Sequence, residues 1–276
     1  MQKKTVFFVS FNSKCLLRFQ VKYGILLILC NFILSRFYMF ITVIGRGHSG
    51  TRAMSQILAE SGVWMGEPLN GSWDLVPPES MYEACREFAK YVNYEGGMKW
   101  DFSRVLEMDP TPRFRALIAD YLSSVIDNPA EIKGWKIPET TLVYPWILKL
   151  FPDAKYIHWI RDPRDGILSG HMTDDLNDFG IDYDKTDNIR RNRAISWKYQ
   201  RELTEATPDA QNSIFVRFED MVFKQEETLA RLEAFLGFPL KGIAMRKDPV
   251  GRYLTDEGEH DFDFFHEDLI KHGYAK

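Results

Sequence analysis

The chain has 276 residues, of which 45% are apolar and 27% charged, enough for one large packed domain and too apolar for a disordered one. A formal charge of −4 gives no global basic field and argues against nucleic acid as a partner, so any anion must be held by a local cluster. The three cysteines, Cys15, Cys30 and Cys85, form no disulfide framework, which makes a reducing, cytoplasmic setting the default expectation.

Residues 1–38 carry six basic side chains (Lys3, Lys4, Lys14, Arg18, Lys22, Arg36) and no acidic one. Of the 35 basic and 39 acidic residues in the chain, the remainder keeps 29 and 39, a net of −10. The apolar run Tyr23–Ser35 stops at Arg36, short of the ~20 residues of a spanning helix. It lengthens only by running through residues needed for a first strand, and no small-x-small cleavage pattern follows it. Two readings stand: residues 1–38 as an extension ahead of a start at Met39, or a membrane anchor through residues 23–44. The expected domain is 39–276.

From Met39 onward, β-rich runs alternate with helical patterns, which predicts an α/β fold: a three-layer sandwich with a central parallel sheet flanked by helices. Phe40–Ile44 reads as the first strand, and a helix over Gly50–Ser61 puts Met54, Ile57 and Leu58 on one face. Helices are predicted over Ser80–Tyr91 and Pro112–Ile126, a short strand over Ile132–Lys136 and a helix over Leu142–Leu150. Lys155–Ile160 is a strand ending at Arg161; a helix over Asn188–Glu205, a strand over Ile214–Phe218 and a helix over Glu226–Leu236 complete the set. Trp197 and Tyr199 read as helix packing.

The segment Gly45-Arg46-Gly47-His48-Ser49-Gly50-Thr51-Arg52 joins the first strand to the first helix. Its glycines bring backbone N–H groups close to a ligand, and the helix start adds unpaired donors and partial positive charge. Ser49 and Thr51 offer hydroxyls, and Arg46, His48 and Arg52 offer cations. A plain structural turn, a nucleotide-triphosphate loop and a dinucleotide turn compete here. The second lacks its lysine after Gly50, and the third lacks its last glycine. A second anchor stands at Arg161-Asp162-Pro163, where Asp162 is placed to cap a helix and Pro163 suits its first position. Arg161 lies at the C-terminal edge of a strand, where open α/β sheets bind ligands. Ser169, eight residues on and about two turns up the predicted helix, joins it as a grip for a second phosphate.

On these motifs the sequence resembles the sulfotransferase superfamily that uses 3′-phosphoadenosine 5′-phosphosulfate (PAPS), over most of Phe40–Tyr253. The resemblance implies a P-loop-like fold and sulfuryl transfer from PAPS to a hydroxyl or amine of a carbohydrate, protein or small-molecule acceptor, with no metal required. It implies that the Gly45–Arg52 turn holds the 5′-phosphosulfate, and that Arg161 and Ser169 hold the 3′-phosphate. Arg217-Phe-Glu219-Asp220-Met221 resembles the family's aromatic-Glu-Asp stretch. Arg246, Lys247, Gly251 and Arg252 resemble its C-terminal basic-glycine loop, although Asp248 stands where cytosolic members have glycine. His48 stands where the family usually has Lys or Arg. The resemblance further implies Glu67 as the base, with His158 and His171 as the histidine alternatives, and Lys136 as the lysine that touches the transferred group. A degenerate kinase and a non-catalytic nucleotide binder remain the rival readings.

For the acceptor, Trp73 and Trp100 are candidate sugar platforms. Asp174-Asp175-Leu-Asn177-Asp178 fails the spacing of a calcium loop and reads as a solvated loop on the acceptor side.

Overall fold

A computed structural model describes Tyr38–Ala275, Asp209 excepted, and the residues from Tyr38 form one compact unit. The readings for residues 1–37, including most of the 23–44 anchor, lie outside the described residues. The end of that run, Met39–Ile44, is strand β1. Among the described residues no helix is long and apolar enough to cross a membrane.

The elements follow in chain order. After β1 come helices α1 (Thr51–Glu60) and α2 (Glu79–Ala89), a hairpin of β2 (Asn93–Gly96) and β3 (Lys99–Asp101), and helix α3 (Pro112–Tyr121). Strand β4 (Ile132–Trp135), helix α4 (Tyr144–Leu150), strand β5 (Lys155–Ile160) and the one-turn helix α5 (Pro163–Gly166) make the centre. The long helix α6 (Ile189–Ala206), strand β6 (Ser213–Arg217), and helices α7 (Phe218–Phe223), α8 (Gln225–Leu236) and α9 (His266–Lys271) end the unit.

Four strands pair in parallel in the order β4-β1-β5-β6, with Ile41 opposite Gly134 on one side and Lys155 on the other. Parallel strands need both faces covered. Ile41, Val43, Ile157 and Trp159 pack with Met54, Ile57 and Leu58 of α1 and Leu232 and Leu236 of α8. Ile44, Trp135 and Tyr156 point to the other face, onto α2, α3, α4 and α6. There Trp146 is edge-on to Phe88 and Phe114 at 5.1 and 4.9 Å, and its indole N–H donates to the Val105 carbonyl. This is the three-layer α/β arrangement expected from the sequence.

The local differences have physical causes. The helix predicted over Pro112–Ile126 begins as expected, with Thr111 capping the Phe114 N–H, but breaks at Leu122. Ser124 beyond the break accepts the Trp64 indole through its carbonyl and the Glu67 N–H through its hydroxyl, tertiary bonds a continuous helix would forgo. Leu142–Val143 belong to a 3₁₀ turn over Pro138–Val143, and the α-helix starts at Tyr144, where Pro145 fits the first turn. Phe218 begins a helix rather than ending a strand. The β2–β3 hairpin, turning on Gly96 and Gly97 at positive φ, was not anticipated.

Phe114 is fully buried, so Phe114→Ala should cost about 3–5 kcal/mol. A loss under about 1 kcal/mol in urea unfolding would mean that this layer is loosely packed.

Candidate functional site

The turn after β1 is shaped by what surrounds it. The Gly45 N–H donates to Thr141 Oγ1 at 3.0 Å, and a side chain at Gly45 would drive into the Trp159 carbonyl. A Cβ at Gly47 would overlap the His171 ring, and one at Gly50, where φ is +94°, would overlap Phe218. His48 itself holds a positive φ of 58°. The N–H groups of Gly47, His48 and Gly50 make no hydrogen bond among the described residues, and they sit at the N-terminus of α1. Free amides at a helix start form an anion site.

The turn's side chains divide into two groups. Arg46 is not a ligand-facing cation: it is buried and pairs with Asp174 through Nε at 2.9 Å and Nη2 at 2.5 Å, and also donates to the Gly47 and Gly166 carbonyls. Ser49 likewise turns inward, its hydroxyl bonding the Arg46 carbonyl at 2.5 Å and its carbonyl taking the Trp159 indole N–H. His48, Thr51 and Arg52 line a cleft of 320 Å³ with Gly47, Gly50, Lys136 and Arg161. Burial first, then the nearby Arg46 charge, lowers the His48 pKa, so its imidazole is neutral at pH 7.

Arg161 is where the strand-edge reading put it. Asp162 caps the Arg164 N–H at 3.0 Å and Pro163 opens α5. The Arg161 guanidinium lies 4.9 Å over the Phe218 ring and donates to the His48 carbonyl at 3.1 Å and to the Pro249 carbonyl, while its Nε is buried without a partner. Ser169 is not on this helix, which ends at Gly166; its carbonyl faces Arg46 at 3.4 Å. The C-terminal loop does reach the Arg161 edge. Asp165 takes the N–H groups of Gly251 and Tyr253 at 2.6 and 3.1 Å, and Arg252 donates to the Asp165 carbonyl. Arg246 and Lys247 are exposed, and Arg246 is paired with Asp248.

Lys136 follows β4 and is almost fully buried, bonded to the Ser72 carbonyl at 2.8 Å and ion-paired with Asp74. Burial lowers its pKa and Asp74 opposes that shift. Asp74 lines the cleft beside the turn; sequence reasoning missed it, because nothing local links it to Lys136. Glu67 does not line this cleft. It lies in a separate depression with Pro77, Ser80 and Asp120. Glu139, three residues after Lys136, is buried with an unpartnered Oε2, and burial raises its pKa to about 7.

The histidine alternatives are both packed residues. His158 stacks on Phe215 and meets the Tyr144 hydroxyl at 3.3 Å; burial, then Arg201, lowers its pKa to about 4. His171 borders the cleft, capped against Thr173, and burial, then Arg46, lowers its pKa to about 3. The 174–178 stretch is solvated only in part: Asn177 and Asp178 are exposed, but Asp174 and Leu176 are buried and Asp174 holds Arg46. Trp100 is no surface platform either: it is buried, bonds the Asp182 carbonyl and packs on Tyr199. Trp73 is half-buried at a positive φ of 60°. Among the described residues, Glu205, Asp268 and His272 are close enough together to hold a metal ion, but Arg201, Lys271 and Lys198 already take the two carboxylates.

The model of a family described as "Sulfotransferase family" matches residues 41–242. Among solved structures, the sulfotransferase domain of the Synechococcus PCC 7002 olefin synthase is similar in fold, with a TM-score of 0.50 at 16% identity over 86% of this chain and 94% of that one. The sulfotransferase domain from the curacin biosynthetic pathway aligns at TM-score 0.45 and 17% identity over 82% of this chain and 80% of that one. A sulfotransferase from Alicyclobacillus acidocaldarius aligns at TM-score 0.45 and 15% identity over 85% and 93%. No curated protein matches the chain.

His158 and His171 sit below the ordinary 6.5, at about 4 and about 3, so below that pH the unfolded chain binds protons that the folded one refuses. Stability should be full above about pH 6.5 and fall as pH drops toward those values, by up to about 1.4 kcal/mol per unit for each ring. Urea unfolding at about pH 7 and pH 5 measures this. His171→Gln should flatten the slope, and a slope that the substitution leaves intact would locate the titration elsewhere.

Proposed function

Because the chain belongs to the sulfotransferase family, we propose that it transfers a sulfuryl group from PAPS to an acceptor hydroxyl or amine. The observation that carries this reading is the meeting, in one cleft, of the free N–H groups of the Gly45–Arg52 turn with Arg52, Lys136 and Arg161. An amide cradle at a helix start suits the 5′-phosphosulfate. Arg161, whose buried Nε lacks a partner, suits the 3′-phosphate together with the Gly251–Tyr253 loop that Asp165 draws to the same edge.

The donor supplies a sulfuryl group that passes to the acceptor atom as its bond to the phosphate oxygen breaks. Positioning and charge carry such a transfer. Lys136, Arg52 and the turn amides stabilise charge on the departing phosphate oxygen. Asp74 takes over the base role expected of Glu67, because its carboxylate lies in the cleft against Lys136 and Glu67 lies in another. The neutral His48 contributes an N–H, and a bound phosphosulfate would raise its pKa toward the charged form. The acceptor is proposed to enter through the adjoining 620 Å³ depression lined by His48, His171, Met172 and Ile189.

Adenosine 3′,5′-bisphosphate should bind without Mg²⁺, and Arg161→Ala should weaken it by at least about tenfold. Asp74→Asn should keep that affinity and lower turnover by about 10² or more. Preference for ATP with Mg²⁺ in calorimetry would overturn the donor assignment, and full turnover in Asp74→Asn would remove Asp74 from the base role.

A further inference from the structure

The outer edge of β6 carries a second cleft that the transfer reaction does not use. It has a volume of 520 Å³ and is lined by residues that include His158, Arg201, Phe215, Arg217, Arg231 and His272. It shares no lining residue with the cleft of Lys136 and Asp74, and a small enclosed cavity lined by His158, Arg201 and Phe215 lies between it and Arg161.

Its chemistry is one-sided. Four permanent cations line it (Arg201, Arg217, Arg231, Lys271) against two carboxylates, Glu205 and Asp220, in a chain whose overall charge is negative. Arg201 and Lys271 share Glu205, at 2.6 and 2.7 Å. Arg217 and Arg231 have no ion pair among the described residues; Arg231 is exposed and donates only to the Phe215 carbonyl at 3.2 Å. Three buried nitrogens in the lining lack partners: Arg201 Nε, Arg217 Nε and His158 Nδ1. The two guanidinium nitrogens can only donate. His158 Nδ1 also carries the ring proton when the Tyr144 hydroxyl donates to Nε2. Buried donors left without acceptors are costly unless an acceptor-rich ligand meets them.

The cleft also has a flat apolar wall. Phe215 is 44% exposed, an unusual state for an aromatic on a sheet edge. Its ring lies nearly parallel to His158 at 4.9 Å and to His272 at 6.3 Å, with the Arg201 guanidinium 5.8 Å from its centre. The wall suits a planar body and the surrounding guanidiniums suit its negative head.

From this geometry we infer that the β6 edge is a second binding site, for a small organic anion with an aromatic body. The head is a carboxylate, sulfate or phosphate held by Arg217 and Arg231, and the body lies against Phe215. A volume of 520 Å³ is within the range of pockets for such molecules. The site does not depend on the donor reading, since none of its groups takes part in it.

Calorimetry of the full chain with 2-naphthoate tests this, with inorganic phosphate and 2-naphthol as the head-only and body-only probes. The expected result is saturable binding of 2-naphthoate at one site per chain, with both fragments weaker by about tenfold or more. Phe215→Ala and Arg217→Gln should each weaken it about tenfold, as should Arg231→Gln, whose exposed side chain makes misfolding an inadequate explanation. Arg161→Ala, at the other cleft, should leave it unchanged. Absence of saturable binding, or binding that survives the three edge variants, or binding lost in Arg161→Ala alone, would overturn the assignment.

Discussion

The ion pair between Arg46 and Asp174 ties together the parts of the candidate site. Both groups are buried, and two guanidinium nitrogens meet one carboxylate oxygen at 2.9 and 2.5 Å. Asp174 also takes the His171 N–H at 2.6 Å, so the carboxylate fixes the loop that places the imidazole under Gly47. The remaining Arg46 donors go to the Gly47, Gly166 and Ser169 carbonyls, linking the turn after β1 to the end of α5 and the loop beyond it. Removing one partner would leave a buried charge uncompensated, which typically costs about 3–5 kcal/mol. The anion-binding amides are therefore set by a contact that never touches an anion.

Around that frame, two of the cations facing the cleft, Arg161 and Lys136, are held by partial partners. Arg161 leans on the His48 and Pro249 carbonyls and lies 3.6 Å from Asp165, and Lys136 leans on Ser72 and Asp74. The carbonyl oxygens satisfy donors without cancelling charge, whereas Asp74 and Asp165 offset Lys136 and Arg161, so the turn's free amides and Arg52 are the donors left to a phosphate. Asp165 serves twice, facing Arg161 and receiving two backbone N–H groups from the 251–253 loop. The loop is thereby attached to the same residue that balances the arginine.

Much of this was legible in the sequence because it is local. β5 was read to its residue bounds, and the start of α5 followed from Asp-Pro. The glycine turn was recognisable as an anion site from the strand before it and the helix after it. Other features depend on partners far along the chain. Arg46 looked like a ligand cation because Asp174, 128 residues away, cannot be paired with it by inspection. Asp74 was overlooked for the same reason, its lysine standing 62 residues on. Glu67 was chosen by distance along the chain, and the fold turns that segment toward Ser124 instead. Ser169 was placed by helical arithmetic on a helix that ends after one turn. The hairpin after α2 has one local signal, Gly96-Gly97, between runs too short to stand out from the strand–helix alternation.

The contact between Gly47 and the His171 ring joins two positions that lie 124 residues apart into a single steric unit. The ring fills the volume that any side chain at 47 would need, and the bare backbone at 47 gives the ring its seat. Divergence at these two sites is therefore ordered. A smaller residue at 171 can come first and leave a gap, whereas a larger residue at 47 cannot precede it without dislodging the loop that carries Asp174. Chains descended from this one can explore new chemistry beside the amide cradle by that one route, with the floor of the turn changing before its rim.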